Sequence, residues 1–112
     1  MITMVEFYKA LADDTRLHAL LLILAEGELC VCELGEALGC SQPKVSRHLA
    51  RLKQDQLVID RKQQQWVFYR LNPLLPTWCS EVLTTSLSCK SADFTECVSR
   101  LTTMKDRPQK CC

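Results

Sequence analysis

The segment that most constrains the fold is "SQPKVSRHLARLK", residues 41–53. Ser41 predicts a helix N-cap, and the Pro that follows is tolerated because the N–H it lacks has no partner in a first turn. Apolar residues recur at i, i+4 and i+7 on one face, and basic residues occupy the opposite face. The apolar set is Val45, Leu49 and Leu52; the basic set is Lys44, Arg47, His48 and Arg51. This pattern predicts a helix that packs on a core and presents a basic surface.

The surrounding pattern places this helix in a larger unit. Helical spacing and caps predict helices over 4–12, 13–27 and 32–38, and the connection "LGCSQ" joins the third to the basic helix. Two segments rich in β-formers follow, "LVIDRK" and "WVFYRL", which predict a hairpin. A short helix, a tight turn and a second helix over 32–54 form a helix-turn-helix, and the hairpin over 57–71 makes it winged. The predicted fold is mainly α with a β-hairpin.

The C-terminal third predicts a long helix over 74–104, with a possible break near 88–91. A chain of 112 residues suggests one domain, here 1–104, followed by a polar, flexible tail over 105–112. We expect the helices over 4–12 and 74–104 to form the interface of a homodimer, although they could instead cover their own core. The candidate interface residues are Trp78, Val82, Leu83, Leu87, Phe94, Val98 and Leu101.

Charge is unevenly distributed although the net charge is only +1. Residues 1–40 hold seven acidic and two basic residues, whereas residues 41–71 hold seven basic and two acidic residues. A basic middle third of this kind attracts an anionic polymer.

The helix-turn-helix and the basic segment together predict DNA binding. The N-terminal residues of the second helix meet base edges in such units, and here these are Gln42, Lys44, Ser46, Arg47 and His48. Lys44 and Arg51 could instead hold phosphates, and Arg61 and Lys62 at the hairpin tip could contact the backbone or the minor groove. The alternative is that this face is only a solvated helix surface.

Eight cysteines raise a second question. The N-terminus has no secretion signal and the longest apolar run is too short to cross a bilayer, so we expect a cytoplasmic protein with no membrane partner. Clustered thiols in a reducing compartment more often bind metal than form disulfides. We interpret Cys79, Cys89 and Cys97 as small apolar residues, and "ELCVCEL" as a candidate site through Cys30 and Cys32.

The spacing of these two thiols suggests how a ligand could act. Side chains two residues apart diverge on a helix but point the same way on an extended chain. A soft ion that bridges Cys30 and Cys32 should therefore resist a regular start to the helix that packs behind the basic helix. That strain offers a route from ligand binding to DNA release.

The combination of "ELCVCEL", "SQPKVSRHLARLK" and "WVFYRL" resembles the ArsR/SmtB metalloregulatory repressors, and most of all their arsenic-responsive branch. The resemblance covers about residues 5–75. It implies a homodimeric winged-helix repressor, not an enzyme, without an organic cofactor. Such a repressor binds inverted repeats in the operator of an arsenic-resistance operon and dissociates when As(III) or Sb(III) binds its cysteines.

One position departs from the resemblance. The arsenic sensors of this kind carry a third Cys three residues after the second, and Gly35 stands there. Cys111 or Cys112 could supply a third thiol through a flexible tail, also from the partner subunit. A two-coordinate site and a separate site at the "CC" end with Cys97 stay open. Cys40 is a poor substitute, because eight helical residues span about 12 Å.

Two alternatives remain for the signal. A Cd, Pb or Zn sensor would use Cys-x-Cys with further cysteines in an N-terminal arm, but no Cys precedes position 30. A thiol-redox sensor would oxidise Cys30 and Cys32, although a disulfide between residues so close makes a strained ring. No Cys-x-x-Cys in a βαβ context or other catalytic pattern stands out, which argues against an enzyme.

Overall fold

The computed structural model describes residues 2–105 together with 107 and 108. These residues form six helices and a three-stranded sheet. In chain order the elements are α1 Met4–Leu11, α2 Asp14–Glu26, β1 Leu29–Cys30, α3 Val31–Leu38, α4 Gln42–Gln54, β2 Val58–Gln63, β3 Trp66–Leu71, α5 Thr77–Ser88 and α6 Ala92–Thr102. The predicted helix-turn-helix is α3 and α4, and β2 and β3 form the predicted wing.

Local capping explains where the helices begin and end. Ser41 and Asp13 accept backbone N–H groups in the first turns of α4 and α2, as the sequence predicts. Helix α3 ends at Gly39, whose φ of +65° lies in the left-handed region that favours glycine. The tight connection that follows turns the chain directly into α4.

The sheet has the order β1-β3-β2, with both pairings antiparallel. Strand β1 was not predicted, since two residues carry no readable alternation and their partners lie about 40 residues further along the chain. Cys30 lies opposite Phe68, and Leu29 opposite Tyr69. The wing is therefore hydrogen-bonded to the residue that caps α3.

The core lies between α2, the helix-turn-helix and the base of the wing. Helix α2 buries five consecutive residues, 19–23, because other elements pack around it on several sides. The predicted apolar stripe of α4 is confirmed: Val45, Leu49 and Leu52 are all at most 1% exposed. The opposite face of α4 is thereby directed to the surface.

The C-terminal third differs from one helix over 74–104. Helix α5 begins only at Thr77, after Pro76, and the chain breaks between Ser88 and Ala92, where Lys90 has a φ of +52°. The possible break near 88–91 is thus confirmed, and α6 returns to pack on α3. Among the described residues, no helix combines the length and apolar character that a membrane span requires.

Of the proposed interface residues, four are at least partly accessible: Trp78, Val82 and Leu87 are half-buried, and Val98 is 38% exposed. Leu83, Phe94 and Leu101 are buried within this chain, so they cover their own core. Large apolar side chains are also exposed on α1, with Met4 at 64%, Val5 at 63% and Tyr8 at 49%. A surface of this kind on α1 can pair with a second subunit.

Candidate metal centre and nucleic-acid interface

Cys30 is the N-cap of α3. Its backbone is extended, at φ −88° and ψ 167°, and its thiol Sγ accepts the N–H of Glu33 at 3.5 Å. Glu33 returns the contact, because its Oε1 accepts the N–H of Cys30 at 2.9 Å. This is a capping box in which a cysteine stands where Ser or Thr is usual.

Cys32 lies on the other side of the helix start. Since α3 begins at Val31, Cys30 belongs to the strand and the cap, whereas Cys32 is the second helical residue. Cys32 is exposed and Cys30 is 1% exposed. The candidate site therefore pairs one buried thiol that stabilises the fold with one accessible thiol.

The protonation state of Cys30 follows from its surroundings. Burial, with the Glu33 carboxylate nearby, raises the pKa of the Cys30 thiol to about 11, although the Glu33 N–H acts in the opposite direction. Cys30 is consequently a neutral thiol near pH 7. A ligand that binds it must displace or carry away a proton.

An ion pair between the buried Glu33 and the exposed Arg107 completes the surroundings of Cys30. The Glu33 side chain is 1% exposed, and its Oε2 accepts the Nε–H of Arg107 at 2.6 Å. The other end of that guanidinium donates to Glu26 at 3.0 Å. Burial disfavours the charged form of Arg107, but the bonds to Glu33 and Glu26 outweigh this and raise its pKa. Arg107 therefore fixes the segment after α6 against the start of α3.

The other cysteines divide as follows. Cys79 and Cys97 are buried, which agrees with their interpretation as small apolar residues, whereas Cys89 is exposed at the end of α5. Cys40 is half-buried and donates to the carbonyl of Leu38.

No three metal-binding side chains converge anywhere in residues 2–105, 107 and 108. Cys40 is thus not brought together with the two thiols at α3. The two suggested third ligands, Cys111 and Cys112, lie outside the described residues.

The N-terminal half of α4 presents most of the predicted DNA-binding residues to solvent. Gln42, Lys44, Arg47 and Arg51 are exposed, and Ser46 is half-buried. Arg51 also pairs with Asp55 one turn later, at 2.9 Å. Exposed side chains in the first turns of the second helix can enter a major groove.

His48 occupies a different environment from the one expected for a DNA contact. Its ring is only 16% exposed, with Nδ1 at 4.0 Å from Asp13 and 3.5 Å from an Arg16 nitrogen. Burial lowers the pKa of His48 against the attraction of Asp13, so the ring is neutral near pH 7. His48 therefore joins α4 to the corner between α1 and α2.

The two predicted wing residues also differ. Arg61 donates both Nε–H and Nη2–H to the Glu28 carboxylate, at 2.8 and 2.7 Å, and its guanidinium lies 4.6 Å from the centre of the Phe68 ring. Lys62 is exposed, one pair closer to the turn. Arg61 thus links the wing to the residue before β1.

Three residues that contact the candidate site residues were not predicted from the sequence: Glu28, Glu33 and Arg107. For Glu33 a signal existed, since C-x-x-E at a helix start is the capping-box spacing with Cys in place of Ser. For Arg107 no local signal exists, because its partner lies 74 residues away.

Several known proteins are similar to this chain in sequence and in fold. The family profile described as "Bacterial regulatory protein, arsR family" matches residues 13–60. Arsenic resistance transcriptional regulator ArsR2 of Pseudomonas putida is 50% identical over 115 residues, which cover 100% of both chains. The arsenical resistance operon repressor of Escherichia coli K12 is 49% identical over 86 residues, 77% of this chain and 74% of that protein.

Solved structures agree with the fold. HlyU from Vibrio cholerae has a TM-score of 0.68 at 37% identity, covering 77% of this chain and 89% of its own. The AntR antimony-specific transcriptional repressor has a TM-score of 0.65 at 29% identity, covering 76% and 74%. Both the family and these relatives are transcriptional regulators, not enzymes. With a relative of this identity along its whole length and a winged helix-turn-helix of this form, the chain belongs to the ArsR family of bacterial transcriptional regulators.

Proposed function

We propose that this protein is a metalloid-responsive repressor that binds operator DNA of an arsenic-resistance operon and releases it when As(III) or Sb(III) binds Cys30 and Cys32. The observation that carries this proposal is the division of the two thiols across the start of α3. The names of the relatives, which include arsenic-resistance regulators and an antimony-specific repressor, support the choice of ligand.

The release mechanism follows from the role of Cys30 as a cap. Its Sγ accepts the Glu33 N–H, and the same sulfur must turn toward a ligand shared with Cys32. Ligand binding therefore competes with the cap, and losing a cap destabilises a helix by about 1 kcal/mol. Helix α3 packs against α4, so a disturbed start of α3 changes the position of the recognition helix.

The chemistry of the buried thiol favours a metalloid over a divalent cation. Arsenous acid, As(OH)₃, is neutral near pH 7, and each thiol that binds it transfers its proton to a leaving hydroxide, which departs as water. A divalent cation must instead drive the Cys30 proton into solution, and the pKa of about 11 makes that costly. A neutral Cys30 thus fits trivalent arsenic or antimony better than cadmium or zinc.

DNA recognition is proposed for the exposed face of α4 and for the wing. We assign base contacts to Gln42 and Arg47, with Ser46 beside them, and phosphate contacts to Lys44 and Arg51. On the wing, Lys62 serves as the phosphate contact, and Arg61 serves mainly through Glu28. His48 acts through the packing of α4 and contacts DNA only if its ring leaves Asp13.

A homodimer is proposed because operators with inverted repeats match a protein with twofold symmetry. The exposed apolar residues of α1, with Trp78 beside Phe7 and Tyr8 at ring distances of 5.0 and 6.4 Å, supply the contact surface. We place this dimer in the cytoplasm, where operator DNA and reduced thiols coexist, and assign it no organic cofactor.

A third thiolate would complete the preferred coordination of trivalent arsenic. Within residues 2–105, 107 and 108 no third metal-binding side chain meets Cys30 and Cys32. We assign this role to Cys111 or Cys112, which the sequence places at the end of the chain.

The test is fluorescence anisotropy of the reduced protein on DNA from upstream of its own gene. Arsenite, antimonite, cadmium, zinc and hydrogen peroxide are titrated in turn, against the protein and its Cys32→Ala variant. Release by arsenite or antimonite that the variant abolishes is the expected result. Release by cadmium or zinc alone, or by peroxide alone, would overturn the proposed ligand while leaving the DNA-binding role intact.

A further inference from the structure

One row of residues crosses all three strands of the sheet and joins the candidate ligand to the wing. Cys30 of β1 lies opposite Phe68 of β3, and Phe68 lies opposite Arg61 of β2. Residues directly opposite each other on antiparallel strands present their side chains on the same face of the sheet. The Cys30 thiol, the Phe68 ring and the Arg61 side chain therefore share one face.

The Arg61 side chain extends across this face toward β1. Its guanidinium lies 4.6 Å from the centre of the Phe68 ring, and Nε–H and Nη2–H donate to the two carboxylate oxygens of Glu28 at 2.8 and 2.7 Å. Glu28 comes two residues before Cys30, and side chains two apart on an extended chain point the same way. We call this ion pair across the Phe68 ring the Arg61–Glu28 clamp.

The clamp has the features of an effective ion pair. Two parallel N–H···O bonds are directional, and the face of an aromatic ring attracts the same cation. The Phe68 ring beneath it is 0% exposed and the Glu28 side chain is 19% exposed, so the pair is partly shielded from water. The strand pairing of β1 itself involves only Leu29 and Cys30. The clamp is therefore a substantial part of the connection between β1 and the wing.

We propose that Arg61 is a positioning residue that couples the wing to the start of α3, so that a metalloid bound to Cys30 and Cys32 repositions the wing as well as α4. This inference rests on the proposed function and adds a second route from ligand to DNA, through the sheet. It also gives Arg61 a role other than the direct DNA contact that the basic hairpin suggests.

Cys30 connects the two routes because it belongs both to β1 and to the cap of α3. Its N–H and its sulfur are engaged by Glu33, and its Cα lies opposite Phe68 in the sheet. A ligand that draws the Cys30 sulfur toward Cys32 displaces the start of α3 and the end of β1 together. With the clamp closed, Arg61 carries the displacement of β1 into the wing. With the clamp open, the wing keeps its position when β1 moves.

The experiment separates ligand binding from its effect on DNA. Ultraviolet absorbance of arsenic–thiolate bonds gives the arsenite affinity of the free protein, and fluorescence anisotropy gives operator affinity with and without saturating arsenite. The ratio of the two operator affinities is the coupling factor, which is typically about 5–150 between linked sites. A DNA contact that both forms make cancels in this ratio.

Two single variants open the clamp. Glu28→Gln removes the carboxylate charge at similar size, and Arg61→Lys keeps the positive charge but loses the paired geometry of the guanidinium. The double variant Glu28→Arg/Arg61→Glu reverses the pair and tests rescue. Lys62→Gln is the matched control, since it removes an exposed cation next to Arg61.

We expect Glu28→Gln and Arg61→Lys to lower the coupling factor by about two- to five-fold, the effect of one partly exposed ion pair, with the arsenite affinity of the free protein unchanged. The reversed pair should recover most of the factor. Lys62→Gln should weaken operator binding equally with and without arsenite. Hydrogen exchange of the amides of residues 58–71 should rise with arsenite in the wild type and stay constant in Glu28→Gln.

Two outcomes would overturn the inference. One is a wild-type coupling factor in both single variants. The other is a matching loss of arsenite affinity in the free variants, which would mean that the clamp only shapes the site around Cys30. Both differ from failure of the proposed function, in which the wild-type protein itself binds no arsenite.

Discussion

Under the proposed function, the sulfur of Cys30 at the cap of α3 would have two roles, as a cap and as a ligand. Ser, Thr, Asp and Asn are the preferred N-caps because their oxygens accept a backbone N–H well. The Cys30 sulfur accepts the same N–H at 3.5 Å and is a softer, weaker acceptor. A weak cap is easier to withdraw, which suits the proposed role of Cys30, in which its sulfur would leave this contact when a ligand binds.

This leads to a prediction for Cys30→Ser and Cys30→Ala. Serine keeps a capping oxygen, so we expect Cys30→Ser to unfold at or above the wild-type temperature and to bind operator DNA. Cys30→Ala should lose about 1 kcal/mol of unfolding free energy relative to serine. Thermal unfolding and anisotropy measure both, and neither variant should respond to arsenite. A full arsenite response in Cys30→Ser would show that Cys30 is not a ligand.

The raised pKa of Cys30 leads to a second prediction. Between pH 6.5 and 8 the thiol stays protonated, and arsenous acid removes its proton as water, so arsenite affinity should be nearly constant. Cadmium must release that proton, so its affinity should rise about ten-fold per pH unit for this thiol alone. Competition titrations at several pH values measure both, and a cadmium affinity that ignores pH would contradict a neutral Cys30.

Arg47 and His48 are adjacent in sequence but should behave differently. Arg47 is exposed, so Arg47→Ala should weaken operator binding by about 1–3 kcal/mol while the unfolding temperature stays close to wild type. His48 contacts Asp13 and Arg16, so His48→Ala should lower the unfolding temperature first. Anisotropy and calorimetry on the same two variants separate the roles. If His48→Ala is stable and loses more DNA affinity than Arg47→Ala, then His48 contacts DNA and this prediction is wrong.

At the scale of elements, features that depend on neighbouring residues could be predicted from the sequence, whereas features that depend on distant partners could not. The caps at Ser41 and Gly39 and the stripe of α4 are encoded within a few residues, so the sequence predicts the helix-turn-helix closely. The partial burial of His48 could not be predicted from the sequence. Its position in α4 lies at the boundary of the basic face, and its contact with Asp13 depends on the tertiary fold. Strand β1 and the Arg107–Glu33 pair depend on partners about 40 and 74 residues away, which no periodicity reveals.

Helix α3 also provides a test of the missing third thiol. A Cβ added at Gly35 would meet the carbonyl oxygen of Cys40 at 3.4 Å, an ordinary contact, so Gly35→Cys should fold. In a Cys111→Ser/Cys112→Ser background it should restore arsenite affinity from within α3, whereas Gly35→Ser, of similar size, should not. Arsenite titration by ultraviolet absorbance measures this. Equal affinities for the two variants would show that position 35 cannot reach the ligand.

At the scale of the whole molecule, the exposed face of α1 groups three of the large apolar side chains that the described residues leave uncovered. Val5 is 63% exposed although α1 packs its other face on the core through Phe7 and Ala10. We expect Val5→Glu to shift the protein to a monomer and to reduce operator affinity, because two linked recognition helices bind more tightly than one. Sedimentation velocity measures the first effect and anisotropy the second.

The control for this prediction is Ala25→Glu, which adds the same charge at an exposed position on α2. It should leave the protein a dimer. A dimeric Val5→Glu variant with wild-type operator affinity would place the interface elsewhere, for example on α5 or α6.

The short length of β1 has a consequence for the arsenite concentration at which the regulated genes would be transcribed. Strand β1 pairs with the wing through Leu29 and Cys30 alone, so in the proposed mechanism a small free energy would separate the DNA-binding form from the ligand-bound form. Coupling of this kind is typically about 1–3 kcal/mol and is reciprocal: the factor by which arsenite weakens operator binding is the factor by which the operator weakens arsenite binding. Protein on DNA is then a less sensitive detector than protein free in the cell. The arsenite concentration that half-saturates the protein should therefore rise when operator DNA is added, and titrations with and without operator DNA measure this shift.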